Sequence, residues 1–109
     1  GGSGGSGGGF LLLAAPTITI NAGGAVSADG QAGGNGFACS ADWNRSAGGG
    51  GGGGGGIIIL IYKTLVNNGG LGANGGVGGL GMSDNQFDCT TFTSGGAGAN
   101  GFILKIPLQ

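Results

Sequence analysis

Charge is what this sequence has least of. Arg45, Lys63 and Lys105 are its 3 basic residues, Asp29, Asp42, Asp84 and Asp88 its 4 acidic ones, and the net charge is −1. A soluble domain is about 25% charged; this chain is 6% charged. So few basic residues cannot neutralise a run of phosphates, which excludes electrostatic nucleic-acid binding. Histidine and glutamate are absent altogether. The usual general acids and bases are therefore missing, and Asp, Lys and Tyr62 would have to replace them. The chain is expected not to be an enzyme and to need neither cofactor nor metal. Proline occurs only at Pro16 and Pro107, which excludes collagen, where proline exceeds about 15%.

Long apolar runs are missing too. None reaches the roughly 18 residues that span a bilayer. The stretch from Phe10 to Ile20 is short and is interrupted by Pro16 and two Thr. No basic segment precedes it, so it does not read as a signal peptide. The sequence begins at Gly1 without Met, as a processed product or a part of a longer chain would. Cysteine is limited to Cys39 and Cys89. Their polar, turn-rich surroundings fit an oxidising compartment better than a metal site, which wants four ligands. An extracellular or virion-surface location is expected.

What the chain has in abundance is glycine: 34 of 109 residues. Each Gly ordered in a regular element costs roughly 0.5–1 kcal/mol relative to Ala. Such a fold needs dense backbone hydrogen bonding, a partner chain, or both. Disordered chains lack aliphatic residues, whereas this one carries Phe10-Leu11-Leu12-Leu13 and Ile57-Ile58-Ile59-Leu60-Ile61. An ordered homo-oligomer or filament is expected.

The sequence overlays itself at a shift of about 45 residues. Ala28-Asp29-Gly30-Gln31-Ala32-Gly33-Gly34 falls on Ala73-Asn74-Gly75-Gly76-Val77-Gly78-Gly79, Thr19 on Thr64, and Leu12-Leu13-Ala14 on Ile57-Ile58-Ile59 and then on Phe102-Ile103-Leu104. The single domain, 1–109, divides into a first repeat at about 3–47, a second at about 48–94 and a closing segment at 95–109. Each repeat opens on a glycine run and an apolar segment read as a strand: 12–20, 57–66 and 102–108. The prolines mark strand ends or edges. Asn21-Ala22-Gly23-Gly24 and Asn67-Asn68-Gly69-Gly70 then read as turns.

A second glycine run follows with period three. Gly69, Gly72, Gly75, Gly78 and Gly81 lie three apart, and Gly24, Ser27, Gly30, Gly33 and Gly36 are their equivalents. Period three is that of a polyproline-II-type helix, which makes no internal hydrogen bonds. Its N–H and C=O groups must find partners outside, so helices with a glycine face are expected to pack closely and bond backbone to backbone. Leu71, Val77 and Leu80 share another phase, which a plain flexible linker would not place so regularly. The expected fold is all-β and irregular: a solenoid- or sandwich-like glycine-rich repeat of short strands and polyglycine-II helices.

Two insertions, Phe37–Ala47 and Met82–Ser94, hold the single Trp, Met and Arg, both Cys and three of the four Asp. Insertions at one phase of a stacked repeat emerge on one side. Trp43, Arg45, Phe87 and Phe92 are candidate recognition residues, since aromatics and Arg are enriched at binding hot spots; the competing reading makes them a small core over the open end. Asp84 joins them as a candidate contact, and with Asn85 and Asp88 it fits turn chemistry better than cation ligation. Cys39 and Cys89 share a repeat phase, so a disulfide between them is expected, against free thiols or intermolecular bridges.

Gly48–Tyr62, Thr64–Gly79 and the terminal Gly98-Ala99-Asn100-Gly101-Phe102-Ile103-Leu104-Lys105-Ile106 resemble glycine-rich domains at the distal ends of bacteriophage tail fibres and adhesins. A poly-Gly run, an Ile/Leu strand ending in Tyr, an Asn-Asn-Gly turn and further Gly triplets carry the resemblance. It implies a virion fibre protein with polyglycine-II helices, tip loops that touch a host receptor, and assembly with other chains. The alternative is a self-assembling subunit of a cellular extracellular filament.

Overall fold

The structure, a computed structural model, describes residues 1–36, 48–81 and 93–109. Among these residues there are five strands and no helix: β1 (Phe10–Ile20), β2 (Ala25–Ser27), β3 (Ile57–Asn67), β4 (Gly70–Gly72) and β5 (Phe102–Pro107). The protein is all-β, as expected. Every pairing is parallel, in one sheet of order β1-β3-β5 and a second sheet of β2 and β4.

The first strand corrects the 45-residue overlay. Phe10, not Leu12, pairs with Ile57, and Thr17, not Thr19, pairs with Thr64. Between β3 and β5 (Ile57 with Phe102) and between β2 and β4 (Ala25 with Gly70) the 45-residue shift holds. The slip is two residues, which keeps the inward and outward sets of side chains intact. The turns absorb it: Asn21–Gly24 joins β1 to β2, but only Asn68 and Gly69 join β3 to β4. In the longer turn the Gly24 N–H donates to the Asn21 carbonyl at 2.9 Å. Gly23 stands there at φ 82°, the one described glycine with positive φ, as the third residue of a type II turn requires.

Five glycine-rich tracts complete the fold: 1–9, 28–36, 48–56, 73–81 and 93–101. The first, third and fifth run parallel in one layer and lead into β1, β3 and β5. Gly2, Gly5 and Gly8 donate to the carbonyls of Gly48, Gly51 and Gly54 at 2.9, 2.8 and 2.8 Å. Gly49, Gly52 and Gly55 donate in turn to Thr93, Gly96 and Ala99 at 3.0, 2.8 and 2.8 Å. The second and fourth tracts form the other layer, running the opposite way. Gly50, Gly53 and Gly56 donate across the layers to Gly34, Gln31 and Ala28 at 2.8, 2.9 and 2.7 Å, and Gly95 and Gly98 to Gly79 and Gly76 at 2.8 Å each. No bond joins two residues of one tract.

The cross-layer bonds end at Ala28 and Ala73, both buried. Beyond them side chains hold the layers together. Ile58 and Leu60, each with 0% exposure, form the centre with Ile18, Ala28 and Ala73, flanked by Leu11, Leu13, Val26, Leu71 and Ile103. The inward set changes from Leu11 and Leu13 to Ile18 and Ile20 across Pro16, the one interior position of β1 without a ladder partner.

Direct backbone contact between tracts sets a test. A Cβ at Gly75 would overlap the carbonyl oxygen of Gly98, whereas Val77 is 67% exposed. Gly75→Val should break the adjoining cross-layer bonds, at about 1–3 kcal/mol for each group left unpaired. Val77→Ala should stay within about 0.5 kcal/mol of the parent. Equal unfolding free energies for the two variants in urea would refute close packing of the fourth and fifth tracts.

Candidate functional site: the glycine lattice, its caps and its open end

Where a side chain fits in the glycine half depends on how many neighbours a tract has. The third tract is surrounded. A Cβ at Gly49, Gly52 or Gly55 would overlap the carbonyls of Gly79, Gly76 or Ala73, and one at Gly50, Gly53 or Gly56 those of Ser3, Ser6 or Gly9. Two of every three positions are thereby closed. In the fourth tract Gly75 and Gly78 are closed by Gly98 and Gly95, and Gly76 and Gly79 by Gln31 and Gly34. The edge tracts have one closed phase each: Gly2, Gly5 and Gly8 in the first, Gly95, Gly98 and Gly101 in the fifth. Their side chains sit at the phases left open, as with Ser3, Ser6, Ala97 and Asn100.

The five glycines of the 69–81 phase therefore do different work. Gly75 and Gly78 lie in the lattice. Gly69 lies in the turn, where a Cβ would meet the Asn21 carbonyl at 2.5 Å, and Gly81 at the end of its tract, 2.8 Å from the Thr93 carbonyl. Gly72 is in β4, and a Cβ there would meet side chains only, Asn74 Nδ2 at 3.0 Å and Asp29 Oδ1 at 3.5 Å. Among the glycines only Gly23 needs its freedom of φ; for the lattice glycines the requirement is space.

On the outer face of the second layer the outward phase carries side chains: Asp29, Ala32 and Asn35, then Asn74, Val77 and Leu80, all exposed. Two of them cap backbone donors of the neighbouring tract. Asp29 Oδ1 accepts from the Asn74 N–H at 2.7 Å, and Asn35 Oδ1 from the Leu80 N–H at 2.8 Å. From the fifth tract, Asn100 Oδ1 accepts from the Gly75 N–H at 3.1 Å and Ser94 Oγ from the Gly81 N–H at 3.4 Å. The Asn74 N–H, helped by the Ser27 hydroxyl, holds the Asp29 carboxyl below its ordinary pKa. Asp29 also borders a shallow open groove of about 260 Å³, lined with Val26, Ser27, Leu71 and Asn74. Among the described residues no three His, Cys, Asp or Glu come together, and no helix is long and apolar enough to cross a membrane.

Trp43, Arg45, Asp84, Phe87, Phe92, Cys39 and Cys89 lie outside the described residues. What the fold places is where their segments attach. The first follows Gly36 and returns at Gly48; the second follows Gly81 and returns at Thr93. The Gly36 N–H donates to the Leu80 carbonyl at 2.9 Å and the Gly49 N–H to the Thr93 carbonyl at 3.0 Å, while a Cβ on Gly81 would lie 2.8 Å from that same carbonyl. All four attachment points therefore gather at one end, the end of the lattice away from the strands.

Sequence reasoning missed the capping role of Asp29, Asn35 and Asn100. Their signal was spacing: Asp29 and Asn35 are six apart, two triplets, on the outward phase. It also missed that Phe10, Leu12, Ile57, Phe102, Leu104 and Ile106 are exposed on one face of the larger sheet. Their signal was the lack of alternation, since both faces of these strands are apolar. Compared with protein-family models, curated proteins and solved structures, the chain matches none of them.

The Asp29 cap makes stability depend on acid. A carboxyl whose folded pKa is depressed adds stability above its unfolded pKa of about 3.9, and that stability is lost as pH falls through the lower folded value. Asn35 shows that an amide oxygen accepts the same kind of bond. Asp29→Asn should therefore match the parent near pH 7 and lose less stability between about pH 4 and pH 2. Thermal unfolding across that range checks it; parallel acid profiles would mean that the cap contributes nothing.

Proposed function

We propose that the chain is a structural and adhesive module of an extracellular fibre, of the virion tail-fibre or adhesin-tip kind. The tracts act as polyglycine-II helices in a stiff sandwich, and segments 37–47 and 82–92 are the variable chemistry at its tip. One observation carries this reading: both segments attach at the same end of the glycine lattice. A scaffold that attaches at one end the segments bearing its only Trp, its only Arg and most of its Asp is suited to presenting them. The period-three bonding and the absence of bonds within a tract support the helical reading. Trp43, Arg45, Asp84, Phe87 and Phe92 are the proposed contacts to a host-surface receptor, and Cys39 with Cys89 the proposed brace between the two segments. Catalysis has no part in the proposal.

A cellular filament that grows by adding tracts to the edge of the glycine layer is the other reading. Ser3 and Ser6 oppose it. They occupy the phase held by Gly50 and Gly53 in the next tract, where a Cβ would overlap a neighbour's carbonyl. A chain arriving at that edge in the same geometry meets two side chains.

Replacing 37–47 and 82–92 each by a short glycine link should leave the far-ultraviolet spectrum and thermal stability near those of the parent. The same replacement should abolish attachment to bacterial cells that bind the parent. Negative-stain images of the parent should show discrete particles of one size. Filaments of unlimited length, or undiminished attachment without the two segments, would overturn the proposal.

A further inference from the structure

On one outer face of this fold six glycines, Gly1, Gly4, Gly7, Gly51, Gly54 and Gly96, have no reason to be glycine among the described residues. On the outer face of the first layer the outward phase reads Gly1, Gly4 and Gly7, then Gly48, Gly51 and Gly54, then Thr93, Gly96 and Ala99, all exposed. A Cβ would find its nearest atom at 3.6, 3.9 and 3.6 Å in the first tract, at 3.3, 3.7 and 3.7 Å in the third, and nothing within 4 Å at Gly96. None has a positive φ. The equivalent phase on the opposite outer face bears a side chain at every position, from Asp29 to Leu80. Glycine loses more freedom on folding than any other residue, so its concentration on one face where neither space nor conformation calls for it implies that another backbone approaches there.

Two more observations fall on the same face. Among the described residues the N–H groups of Gly51 and Gly54 and the carbonyls of Gly49, Gly52 and Gly55 have no backbone partner. Continuing along the same tracts, the outward side chains of the sheet form rows across its strands: Phe10, Ile57 and Phe102, then Leu12, Ile59 and Leu104, then Ala14, Ile61 and Ile106. No polar residue interrupts them. Phe10 is 66% exposed and Phe102 60%. Parallel strands with near-continuous apolar runs are those of sheets covered on both faces, and the described residues cover only one face.

We propose that this face docks onto the same face of a second copy, glycine half on glycine half and apolar half on apolar half. The two layers of one chain already meet in this way, by backbone bonds up to Ala28 and Ala73 and by side chains beyond. A second copy supplies both halves of the match, and no charged side chain stands in the glycine rows or the three apolar rows. Three tracts wide and about 14 residues long, it measures roughly 14 by 45 Å. A pair then buries on the order of 1,200 Å², where specific stable interfaces begin. With Ser3 and Ser6 closing the lateral edge, the contact is isologous and stops at two chains.

Sedimentation of the full chain over a range of concentrations tests this. The expected species has twice the 10.0 kDa chain mass. Gly51→Val combined with Gly54→Val, which the single chain has room for, should weaken the pair by at least about tenfold with the far-ultraviolet spectrum unchanged. Leu12→Lys on the apolar half should do the same, and Ala32→Lys on the opposite face should not. If the valine pair disturbs the fold, Gly51→Ala with Gly54→Ala is the milder probe of the same contact. A parent that remains monomeric at about 100 micromolar, a mass that climbs without limit, or a pair indifferent to both the glycine and the Leu12 substitutions would overturn the proposal.

Discussion

The hydrogen bond from one glycine tract to a tract in the opposite layer is the constraint on which the rest of this structure depends. Gly53 donating to the Gln31 carbonyl at 2.9 Å and Gly76 donating to the Gly53 carbonyl at 2.7 Å bring the layers so close that a Cβ at Gly30, Gly52 or Gly75 would overlap a carbonyl of the facing tract. In most domains layers are held apart by side chains, and backbone groups pair only within a layer. Here both in-layer and cross-layer pairing occur in one lattice, which compensates a chain with little apolar core of its own. An unpaired backbone group in such an interior costs about 1–3 kcal/mol, so one misplaced side chain affects several tracts together.

That constraint also explains where the few side chains of the lattice are. The enclosed third tract is pure glycine, while the first reads Gly-Gly-Ser twice and the fifth admits Ala97 and Asn100. Neighbour count decides composition. Polar residues at open phases then take a second role. Asp29, Asn35 and Asn100 turn back to cap donors that the lattice leaves over, a capping principle familiar from helix ends applied to extended tracts. The near absence of charge follows from the same geometry, because only the outward and edge phases could accommodate a charged side chain.

Strand and lattice are one continuous path. The contact between the layers changes from backbone to side chain at two small buried residues of the second layer, Ala28 and Ala73, and the large ones, Ile58 and Leu60 of the first layer, lie beyond them. The strands occupy one end, and the attachment points of the two inserted segments, Gly36, Gly48, Gly81 and Thr93, lie at the other. The apolar face of the sheet lies away from that end.

The amino-acid sequence by itself determined the class and the punctuation. Period-two and unbroken apolar runs specify strands, Asn21-Ala22-Gly23-Gly24 and Asn67-Asn68-Gly69-Gly70 specify turns, and glycine at every third residue specifies extended tracts that must bond outward. It also reveals most of the register, because Phe102 follows its glycine run as Ile57 does. The two-residue slip of β1 was illegible, since a step of two preserves the face of every side chain and the difference is hidden in turn length. The capping of Asn74 by Asp29 was illegible for a different reason: it joins residues 45 apart, and only the stacking of tracts brings them together. Which glycines are indispensable was likewise decided by the tertiary structure alone. Gly51 and Gly52 are identical in sequence context, yet a Cβ on one has 3.7 Å of clearance and on the other overlaps a carbonyl, because space in a lattice is set by the neighbouring chain and not by the residue itself.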